Sequence, residues 1–568
     1  MRKFHYPVMG IAILVLAGAL LIPSAIARAD CQPPPDNGDN AITCTGVHNG
    51  TLNARGGDDT VVVDNGARVR GSVRGSDGND IITNNGRVNQ NLDGGNDNDV
   101  IVNNGRVNRS ITGGGGDDQV TNTGTVNRTI NGGSGDDVIT NQAGGSVRDI
   151  RGSGGDDQII NDGRVNRNLD GGNNNDVIVN NGRVNRNITG GGGDDQVTNT
   201  GTVNRTINGG NGNDVVVNQA GGSARDIRGG GGGDQIDNYG TVHRDISGQS
   251  GNDTVVNHDT GVVDDDIFGS GGNDVIVNNG RVGDDVNGGN GNDQIANSGT
   301  VGDLLAGGGG NDIITNNGTV GGDINSGPGN DVVVHNGTVN DDLLTGSGDD
   351  EVTINGHVDD QVNTSRGDDT VILQNGASGN SGGSPNTLRV NGGPGNDELR
   401  FDLTVSNPAE EQRLHNEIAA ASPNNGSLAF GSQLFQWLNF ERLVDMVRLV
   451  FAPTEQPEPA EPDPCILNDG VNLAVCRYPN GDVAFLRLRN GEGRLHSYLS
   501  AAELGATPPG GVVLDRIDDE GYRLRVSRTT EGDFLIEMYA PGTDDTDGEF
   551  LEQTGPDVQP VVTYRLPL

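Results

Sequence analysis

The chain has 568 residues, 96 of them glycine, and its formal net charge at pH 7 is -42. Aromatic side chains make up 3% of it and hydrophobic side chains 31%, which is too little apolar mass for several conventional globular cores. The negative charge argues against a nucleic-acid partner, because phosphate contact needs a basic surface, and it favours cations instead.

The N-terminus has the order of an export signal. Arg2 and Lys3 precede an apolar run over residues 8–22, and Pro23 and a small-residue stretch follow it. This order predicts a signal peptide over residues 1–29 and a secreted, extracellular chain, either free or associated with the cell surface. A retained anchor is the alternative, although the run is short for a membrane span of roughly 20 residues. No later stretch is long and apolar enough to cross a bilayer.

A period of about 19 residues runs through the middle of the chain. An aspartate closes a glycine-rich loop in each period, and twelve of the sixteen steps between these aspartates are 19 residues long, while the others are 20 or 21. A fixed period in this range predicts a solenoid. The seventeen closing residues are Asp59, Asp80, Asp99, Asp118, Asp137, Asp157, Asp176, Asp195, Asp214, Asp234, Asp253, Asp274, Asp293, Asp312, Asp331, Asp350 and Asp369.

Each coil carries aliphatic residues at fixed places, two, eight and twelve residues after the closing aspartate. In one coil these are Ile101, Val107 and Ile111. Asparagine and glycine stand four and six residues after the aspartate, as at Asn103 and Gly105, and this pair predicts a turn that needs positive φ. The pattern predicts two short β segments per coil with the aliphatic residues inside. Stacking at about 4.8 Å places each aliphatic residue over its copy in the next coil.

Arginine recurs ten residues after the closing aspartate, as at Arg109, Arg128 and Arg186. Strict alternation would point it into the core, so we expect a bulge or bend that turns it outward. A two-sided and a three-sided cross-section are both compatible with this pattern.

Both ends of the repeat carry candidate caps, because an open solenoid end exposes an unpaired edge. Residues 30–55 are predicted to close the first coil, residues 56–400 to form the solenoid, and residues 401–451 to close its other end. In the second cap, Asn407 followed by Pro408 predicts the start of a helix.

A second module follows the solenoid. Residues 452–464 are rich in Pro and Glu and predict a linker. Residues 465–568 contain alternating apolar runs that predict a small, separate β module. Before the linker, the segment around Trp437 is much more apolar than the coils, which favours a hydrophobic plug over an aromatic ligand site.

The four cysteines fall in two close pairs, one on each side of the repeat. They are Cys31 with Cys44, and Cys465 with Cys476. In an exported chain each pair predicts a local disulfide, and free thiols are the alternative.

The loop at residues 132–139 reads Gly-Gly-Ser-Gly-Asp-Asp-Val-Ile, and the loop at residues 288–293 reads Gly-Gly-Asn-Gly-Asn-Asp. These loops resemble the RTX (haemolysin-type) nonapeptide G-G-x-G-x-D-x-U-x. In that family the sixth-position carboxylate and loop carbonyls of adjacent coils hold Ca²⁺ in a column along a parallel β-roll. The resemblance therefore implies Ca²⁺ at the seventeen aspartates. Hard oxygen ligands suit calcium, and a column of carboxylates without a cation would repel itself.

The sequence also departs from the RTX pattern. RTX modules repeat the motif every nine residues, whereas here the opposite half-coil has no aspartate, so one calcium column at most is implied. Asp97 and Asn174 replace the fourth-position glycine, although both residue types tolerate left-handed φ. Alternating Asn-x-Gly-Thr-Val and Gly-Asn-Asp phrases are equally similar to the repeat passengers of autotransporter adhesins.

The sequence therefore predicts an all-β protein: a parallel β-solenoid (β-roll or β-helix) with a short helix-containing C-terminal cap and a small separate β module. The predicted function is a secreted or cell-surface calcium-binding scaffold, structural or adhesive and not enzymatic, with cell-surface or matrix glycans or proteins as candidate partners. Two alternatives stay open. One is a metal-free solenoid whose Asp and Asn form polar ladders, and the other is a secreted polysaccharide-modifying enzyme, lyase-like or epimerase-like, on a β-helix.

Overall fold

The computed structural model describes residues 31–449, apart from residue 33, and eight strands within residues 466–566. The chain divides into two compact units, residues 1–450 and residues 451–568. The predicted signal peptide, the predicted linker and the predicted pairing of Cys465 with Cys476 lie outside the described residues.

The first unit is a parallel β-solenoid of about eighteen coils, as predicted. Each coil contributes up to three strands, and each strand pairs in parallel with its counterparts in the coils before and after it. For example, Ile101 is paired with Ile82 on one side and with Val120 on the other. The three resulting stacks of strands are called columns A, B and C.

Column A forms a sheet of its own and directly follows the closing aspartates. Its strands are Ala41–Cys44, Thr60–Val63, Ile81–Asn84, Val100–Asn103, Gln119–Asn122, Val138–Asn141, Gln158–Asn161, Val177–Asn180, Gln196–Asn199, Val215–Asn218, Gln235–Asn238, Thr254–Asn257, Val275–Asn278, Gln294–Asn297, Ile313–Asn316, Val332–His335, Glu351–Ile354, Thr370–Gln374, Glu398–Asp402 and Arg442–Asp445.

Columns B and C belong to one second sheet, because Thr125–Ser134 and Ser146–Gly154 run through both columns. The coil thus has three strand positions but two sheets. The other strands of column B are Val47–His48, Arg68–Val69, Arg87–Val88, Arg106–Val107, Arg164–Val165, Arg183–Val184, Thr202–Val203, Ser223–Ala224, Thr241–Val242, Val262–Val263, Arg281–Val282, Thr300–Val301, Thr319–Val320, Thr338–Val339, His357–Val358 and Ser378–Gly379.

Column C closes the coil with the strand that leads into the glycine-rich loop. Its other strands are Leu52–Gly56, Val73–Asp77, Leu92–Asn96, Ile111–Gly115, Leu169–Asn173, Ile188–Gly192, Thr206–Asn211, Asp226–Gly231, Ile246–Ser250, Ile267–Gly271, Val286–Asn290, Leu305–Gly309, Ile324–Asn325, Leu343–Leu344, Gln361–Asn363, Thr387–Asn391 and Gln433–Leu438.

The core is a thin layer of stacked aliphatic side chains, as the period predicted. The residues two, eight and twelve positions after the aspartate are buried in coil after coil, and in one coil Ile101, Val107 and Ile111 are all 0% exposed. Each fully buried side chain of this size stabilises the fold by about 1.5–3 kcal/mol. The arginines at Arg109 and Arg128 are exposed, and the register between Thr125–Ser134 and Ser146–Gly154 shifts after Val126, which is the expected bulge.

The prediction of a positive-φ turn at the Asn and Gly pair was wrong. Gly105 and its equivalents do not have positive φ, and Asn103 points into the core, where it is 0% exposed. Glycine is needed for a different reason: a Cβ at Gly105 would lie 2.1 Å from the carbonyl oxygen of Gly86 in the preceding coil. At Gly105 the backbones of adjacent coils therefore approach too closely for a side chain.

The N-terminal end is closed by a reversed strand. Cys31–Gln32 pairs antiparallel with Ala41–Cys44, and a disulfide joins Cys31 to Cys44, which confirms the first predicted pairing. Ala41–Cys44 pairs in parallel with Thr60–Val63, so one coil precedes the coil that Asp59 begins. The antiparallel strand covers the edge that this first coil would otherwise expose.

The C-terminal end combines a helix with a larger apolar cluster. The helix Pro408–Ala420 begins where the sequence predicted it, with the Asn407 side chain accepting a hydrogen bond from the backbone N–H of Ala409 at 2.9 Å. Trp437 is buried and packs edge-to-face on Phe401, with ring centroids 5.4 Å apart. These contacts agree with a hydrophobic plug.

Two shorter pairings complete this end. Thr404–Val405 pairs with Arg448–Leu449, and Asn425–Phe430 pairs antiparallel with Gln433–Leu438. A single-turn 3-10 helix spans Ser381–Gly383. Within the described residues, no helix has the length and apolar character that a membrane span requires.

The second unit contains two four-stranded antiparallel sheets, in agreement with the predicted β module. The first sheet is formed by Ile466–Asn468, Leu473–Arg477, Val483–Arg489 and Glu492–Leu499, and the second by Val512–Ile517, Arg523–Arg528, Phe534–Tyr539 and Val562–Leu566.

Candidate metal-binding file

The seventeen predicted aspartates stack into one continuous file inside the solenoid, and Asp397 extends it to eighteen. We call these eighteen residues the aspartate file. Each member lies at the start of a column A strand and is at most 2% exposed. Burial of carboxyl groups at this density is unusual, because Asp is among the residues least often buried without a partner.

One oxygen of each carboxyl group has a regular partner. The Oδ1 atom accepts a hydrogen bond from the backbone N–H of the preceding file member, as from Asp80 to Asp99 and from Asp176 to Asp195, at 2.8 and 2.7 Å. The same bond recurs along the whole file up to Asp397, which accepts from Asp369 at 2.9 Å. The file is therefore a ladder of backbone-to-carboxylate bonds that fixes the register of adjacent coils.

The other oxygen of each carboxyl group has no such partner. The Oδ2 atom of all eighteen members is buried and has no hydrogen-bond partner among the described residues. A buried polar atom without a partner costs free energy, of the order of 1–3 kcal/mol per group. Eighteen such atoms in one line therefore point to a proton or a cation on each.

The unpartnered oxygen lies in a space that glycine leaves open. The residue five positions before the aspartate is glycine in fourteen coils, and in thirteen of them an added Cβ would lie only 1.9–2.5 Å from the Asp Oδ2. At Gly190, for example, the same point is 2.4 Å from the Asp195 Oδ2 and 2.4 Å from the carbonyl oxygen of Gly209 in the next coil. The carboxylate thus shares its surroundings with backbone carbonyl oxygens.

Three consecutive coils near the C-terminal end fill that space with a hydroxyl side chain. Ser326, Thr345 and Thr364 stand where the other coils have glycine, and all three are fully buried. Ser326 Oγ donates to the carbonyl oxygen of Thr345 at 3.0 Å, and Thr345 Oγ1 donates to that of Thr364 at 3.1 Å. Each hydroxyl also lies close enough to the aspartate five positions later to lower the pKa of Asp331, Asp350 and Asp369, although burial raises the pKa of each of them overall.

Burial raises the pKa of the file members from Asp80 to Asp397 above their ordinary value. The backbone N–H of the preceding member lowers the pKa in part, and neighbouring carboxyl groups raise it further in most coils. The pKa rises to about 8 for Asp99 and Asp176, to about 7 for Asp137, Asp195, Asp234, Asp350 and Asp397, and to about 6 for Asp80, Asp118, Asp157, Asp214, Asp274, Asp312 and Asp369.

Two loop residues that replace a glycine adopt the positive φ that their residue types tolerate. Asp97 and Asn174, which replace the fourth-position glycine, have φ of 69° and 72°. Both therefore adopt the left-handed conformation that glycine adopts at the same place in other loops, such as Gly116 with φ of 111°.

A second buried file consists of the asparagines four positions after the aspartate in thirteen consecutive coils, from Asn84 to Asn316. The side-chain Nδ2 of each donates to the Oδ1 of the next, as from Asn84 to Asn103 at 2.7 Å and from Asn297 to Asn316 at 2.8 Å. The file ends at His335, whose Nδ1 faces Asn316 Nδ2 at 3.2 Å and whose Nε2 faces the His357 carbonyl oxygen at 3.0 Å. Burial lowers the pKa of His335 to about 4.

The aspartate file extends beyond the members that the period identifies. Asn40 takes the equivalent place before Asp59 and donates its backbone N–H to Asp59 Oδ1 at 2.6 Å. At the other end Asp397 donates its backbone N–H to Glu441 Oε2 at 2.7 Å. The steps to Asp397 and Glu441 are 28 and 44 residues, because extra segments are inserted between the coils. The Gly-Pro-Gly-Asn-Asp phrase before Asp397 is the sequence signal that could have found it.

Three exposed side chains from successive coils form a further group that the repeat pattern does not single out. Ser223 Oγ lies 3.3 Å from His243 Nε2, and His243 Nδ1 lies 3.0 Å from Asp264 Oδ2. The His243 and Asp264 side chains are 56% and 44% exposed. They lie in successive coils on an open sheet surface, where water competes for each contact, so this group gives no support to the enzyme alternative.

The donor set of the aspartate file fits a hard cation. No three His, Cys, Asp or Glu side chains converge on one point in the part of the chain that the structure describes. A cation beside the file would therefore take one or two carboxylate oxygens together with backbone carbonyl oxygens. Oxygen ligands in a flexible arrangement are what Ca²⁺ accepts, whereas Mg²⁺ demands a stricter octahedron.

Fold and site together define a repetitive parallel β-solenoid with a buried acidic file. No protein-family model and no curated protein matches the chain. Among solved structures it is similar to a hyperactive, Ca²⁺-dependent, β-helical antifreeze protein from an Antarctic bacterium. The two are 18% identical over 73% of this chain and 94% of that chain, with a TM-score of 0.25.

Proposed function

We propose that the protein is an extracellular structural scaffold whose solenoid is held together by calcium ions along the aspartate file. The observation that carries this proposal is the line of eighteen buried Oδ2 atoms without a hydrogen-bond partner. Backbone carbonyl oxygens lie beside the glycines that face these atoms, and they supply the remaining ligands.

An ionised file without counter-charges is not compatible with a stable fold. Two unit charges about 4.8 Å apart repel by about 3 kcal/mol at an effective dielectric constant of 20. The total stability of a domain is only about 5–15 kcal/mol. Each carboxyl group must therefore carry a proton or share a cation. A bound cation neutralises the repulsion while the carboxylate stays ionised, and the ionised carboxylate is what binds the cation.

The glycine spaces set the number of ions. Fourteen file members face a glycine five positions earlier, Asp331, Asp350 and Asp369 face a hydroxyl side chain, and Asp59 faces Ala54. A hydroxyl side chain occupies the space and takes up a lone pair of the carbonyl oxygen beside it. We therefore expect calcium along the glycine coils and none in the three hydroxyl coils.

Calcium binding is tested on the mature chain by isothermal titration calorimetry and by thermal melting in calcium and in EGTA at pH 7.5. We expect several ions per chain and a melting temperature that is clearly higher in calcium. Asp195→Asn removes one file carboxylate and should lower the calcium count by about one ion. Asp194→Asn is the matched control, because it removes the same charge from the exposed neighbouring residue.

The metal-free alternative makes the opposite prediction. A protonated Oδ2 would donate to a nearby carbonyl oxygen, such as that of Gly209 beside Asp195, and the file would then be a ladder of neutral carboxylic acids. Identical melting curves in calcium and EGTA, together with no bound ion, would establish this alternative and overturn the calcium proposal.

Export is a separate part of the proposal. It is supported by the Cys31–Cys44 disulfide, since disulfides persist in oxidising compartments outside the cytosol. Intact-mass analysis of the protein recovered from culture medium should show cleavage within residues 24–30. A full-length chain found only inside cells would contradict export. Binding of the exported chain to arrays of cell-surface and matrix glycans would then test the adhesive role.

A further inference from the structure

A third file runs along the outside of the solenoid, at the bend between columns B and C. In the coils that begin at Asp99 to Asp350 it contains the residue ten positions after the aspartate. In three coils of different length the equivalent residue lies eleven or twelve positions after the aspartate, at Arg148, Arg225 and Asp265. We call this third file the corner file. In chain order it reads Arg109, Arg128, Arg148, Arg167, Arg186, Arg205, Arg225, Arg244, Asp265, Asp284, Asp303, Gly322, Asp341 and Asp360.

Backbone hydrogen bonds show that these residues stack directly on one another. The N–H of Arg186 donates to the carbonyl oxygen of Arg167 at 3.0 Å, and the N–H of Asp303 donates to that of Asp284 at 3.0 Å. At the junction, the N–H of Asp265 donates to the carbonyl oxygen of Arg244 at 3.3 Å. Eight positive charges are thus followed, along one line and at one coil spacing, by five negative charges and one glycine.

Most of these charges have no partner within the described residues. The guanidinium groups of Arg109, Arg128, Arg167, Arg186 and Arg205 lie beyond ion-pair distance of any described carboxylate, and so do Asp284, Asp303, Asp341 and Asp360 with respect to described cations. Arg148 and Arg225 pair with the neighbouring Asp149 and Asp226, at 2.9 and 3.9 Å. Arg244 also lies within 4 Å of Asp226 and Asp245. Between described members of the file a pair forms where the two signs meet, with Arg244 Nε 3.7 Å from Asp265 Oδ2. That contact shows that Arg and Asp one coil apart along this file can reach each other.

Over the whole solenoid, too, the positive charges are concentrated in the N-terminal part. Residues 51–244 contain 18 arginines and 24 acidic residues, whereas residues 245–369 contain 2 arginines and 23 acidic residues. Because the buried aspartate file is spread evenly over both segments, the difference lies in the other residues. An external polyanion would meet only the arginine half of the corner file favourably and would be repelled by the aspartate half.

We infer that the corner file is an interface between two copies of this chain, arranged antiparallel about a two-fold axis near Arg244 and Asp265. In this arrangement the arginine half of each copy faces the aspartate half of the other, so every contact occurs twice. The spacing of the two files matches automatically, since both are set by the stacking distance between strands, about 4.8 Å. The inference does not depend on calcium.

The antiparallel arrangement also closes the assembly. A parallel, staggered pair would leave one arginine half and one aspartate half unpaired at its outer ends, and each would recruit another copy into an open filament. Individual surface ion pairs are weak and screened by salt, so only their number along the file makes the contact stable. The dimer should therefore dissociate as salt is raised.

Sedimentation velocity on the mature chain tests the interface with a charge exchange. The acidic variant carries Arg167→Glu and Arg205→Glu, and the basic variant carries Asp341→Arg and Asp303→Arg, which are the residues that oppose them across the two-fold axis. Each variant alone places like charges together at both halves of the dimer and should weaken self-association ~100-fold or more in 50 mM NaCl. An equal mixture of the two should restore a 1:1 complex, because all opposing charges are again complementary.

Control variants separate this interface from a general charge effect. Gln119→Glu, Gln158→Glu and Gln196→Glu add negative charge to exposed positions of column A and should leave the dimer unchanged in mass. Circular dichroism and melting of each variant check that the solenoid still folds, as expected for exposed side chains. Wild-type dimers should revert to monomers in 500 mM NaCl.

Three results would overturn the inference. The first is a wild-type chain that stays monomeric in 50 mM NaCl at concentrations of tens of micromolar. The second is continued growth beyond the dimer, which would indicate an open arrangement. The third is a monomer that binds polygalacturonate, used as a probe polyanion, and loses that binding in the acidic variant; the arginines would then serve an anionic polymer.

Discussion

The glycine coils and the hydroxyl coils stack in one solenoid but differ in the space beside the buried carboxylate. The column C strand shortens there, from five residues at Leu305–Gly309 in a glycine coil to two at Leu343–Leu344 in a hydroxyl coil. At Gly190 that space holds the Oδ2 of Asp195, whereas at Thr345 it holds a side chain that donates to the carbonyl oxygen of the next coil. The fold therefore does not require glycine at this position. Glycine stands at this position in thirteen consecutive coils, from Gly75 to Gly307, and in each of them an added Cβ would collide with the Asp Oδ2.

The largest expected effect involves the whole file and is seen in the pH dependence of apo stability. Burial raises the pKa of Asp99 and Asp176 to about 8 and of Asp195 to about 7, so between pH 4 and 8 the folded state holds protons that the unfolded chain has lost. Stability is then greatest at low pH and falls as pH rises through these values. Melting temperatures measured in EGTA should decrease steadily from pH 5 to pH 8.

Calcium should remove this trend, because the bound ion replaces the proton. Repeating the series in 500 mM NaCl separates the buried file from repulsion between exposed charges, since salt screens the latter much more. A melting temperature in EGTA that rises with pH would contradict the assignment of the raised pKa values to the buried file.

The next effect is expected from Gly190→Ala, which makes a glycine coil more like a hydroxyl coil. The added Cβ would lie 2.4 Å from both the Asp195 Oδ2 and the Gly209 carbonyl oxygen, and the resulting overpacking should cost about 1–3 kcal/mol of unfolding free energy. Urea denaturation in calcium measures this loss. Gly192→Ala in the same loop is the control, because a Cβ there meets nothing within 4 Å and the variant should be close to neutral.

A smaller effect is expected from Thr345→Ala in the hydroxyl coils. The variant loses the hydrogen bond from Thr345 Oγ1 to the Thr364 carbonyl oxygen, which contributes about 0.5–1.5 kcal/mol. Thr345→Ser keeps the hydroxyl and should recover most of the loss in the same urea experiment. If alanine and serine were equally destabilising, the lost methyl group rather than the hydroxyl would be responsible.

The smallest effect concerns the number of calcium ions. Asp350→Asn lies in a hydroxyl coil and should leave the calorimetric ion count unchanged, whereas Asp195→Asn should lower it by about one. An equal loss in the two variants would mean that the hydroxyl coils bind calcium as the glycine coils do, and the proposed distinction between them would be lost.

The architecture followed from the sequence to a large extent. Aliphatic residues such as Ile101 recur at fixed distances from the aspartates, and burying them all at once requires coils that stack in register. The helix at Asn407 and the Cys31–Cys44 disulfide were also predictable, because capping and short-range pairing depend on neighbouring residues.

Other features depend on contacts between coils and were not predictable from one coil. Asn103 was expected in a turn but lies in the core, where its partners are Asn84 and Asn122 of the adjacent coils. Asp397 and Glu441 join the file across 28 and 44 residues, because strand pairing and not sequence distance brings them there.

The sequence by itself determined the period, the buried aliphatic layer and the positions of the aspartates, since each of these repeats within a single coil. Only the tertiary structure decided that each aspartate uses one oxygen on the coil before it and leaves the other without a partner, beside a glycine in fourteen of the eighteen coils. It also decided that arginines and aspartates from distant coils form a single outer line. The physical reason is that stacking fixes which atoms of different coils meet, and that choice is made by backbone hydrogen bonds between coils.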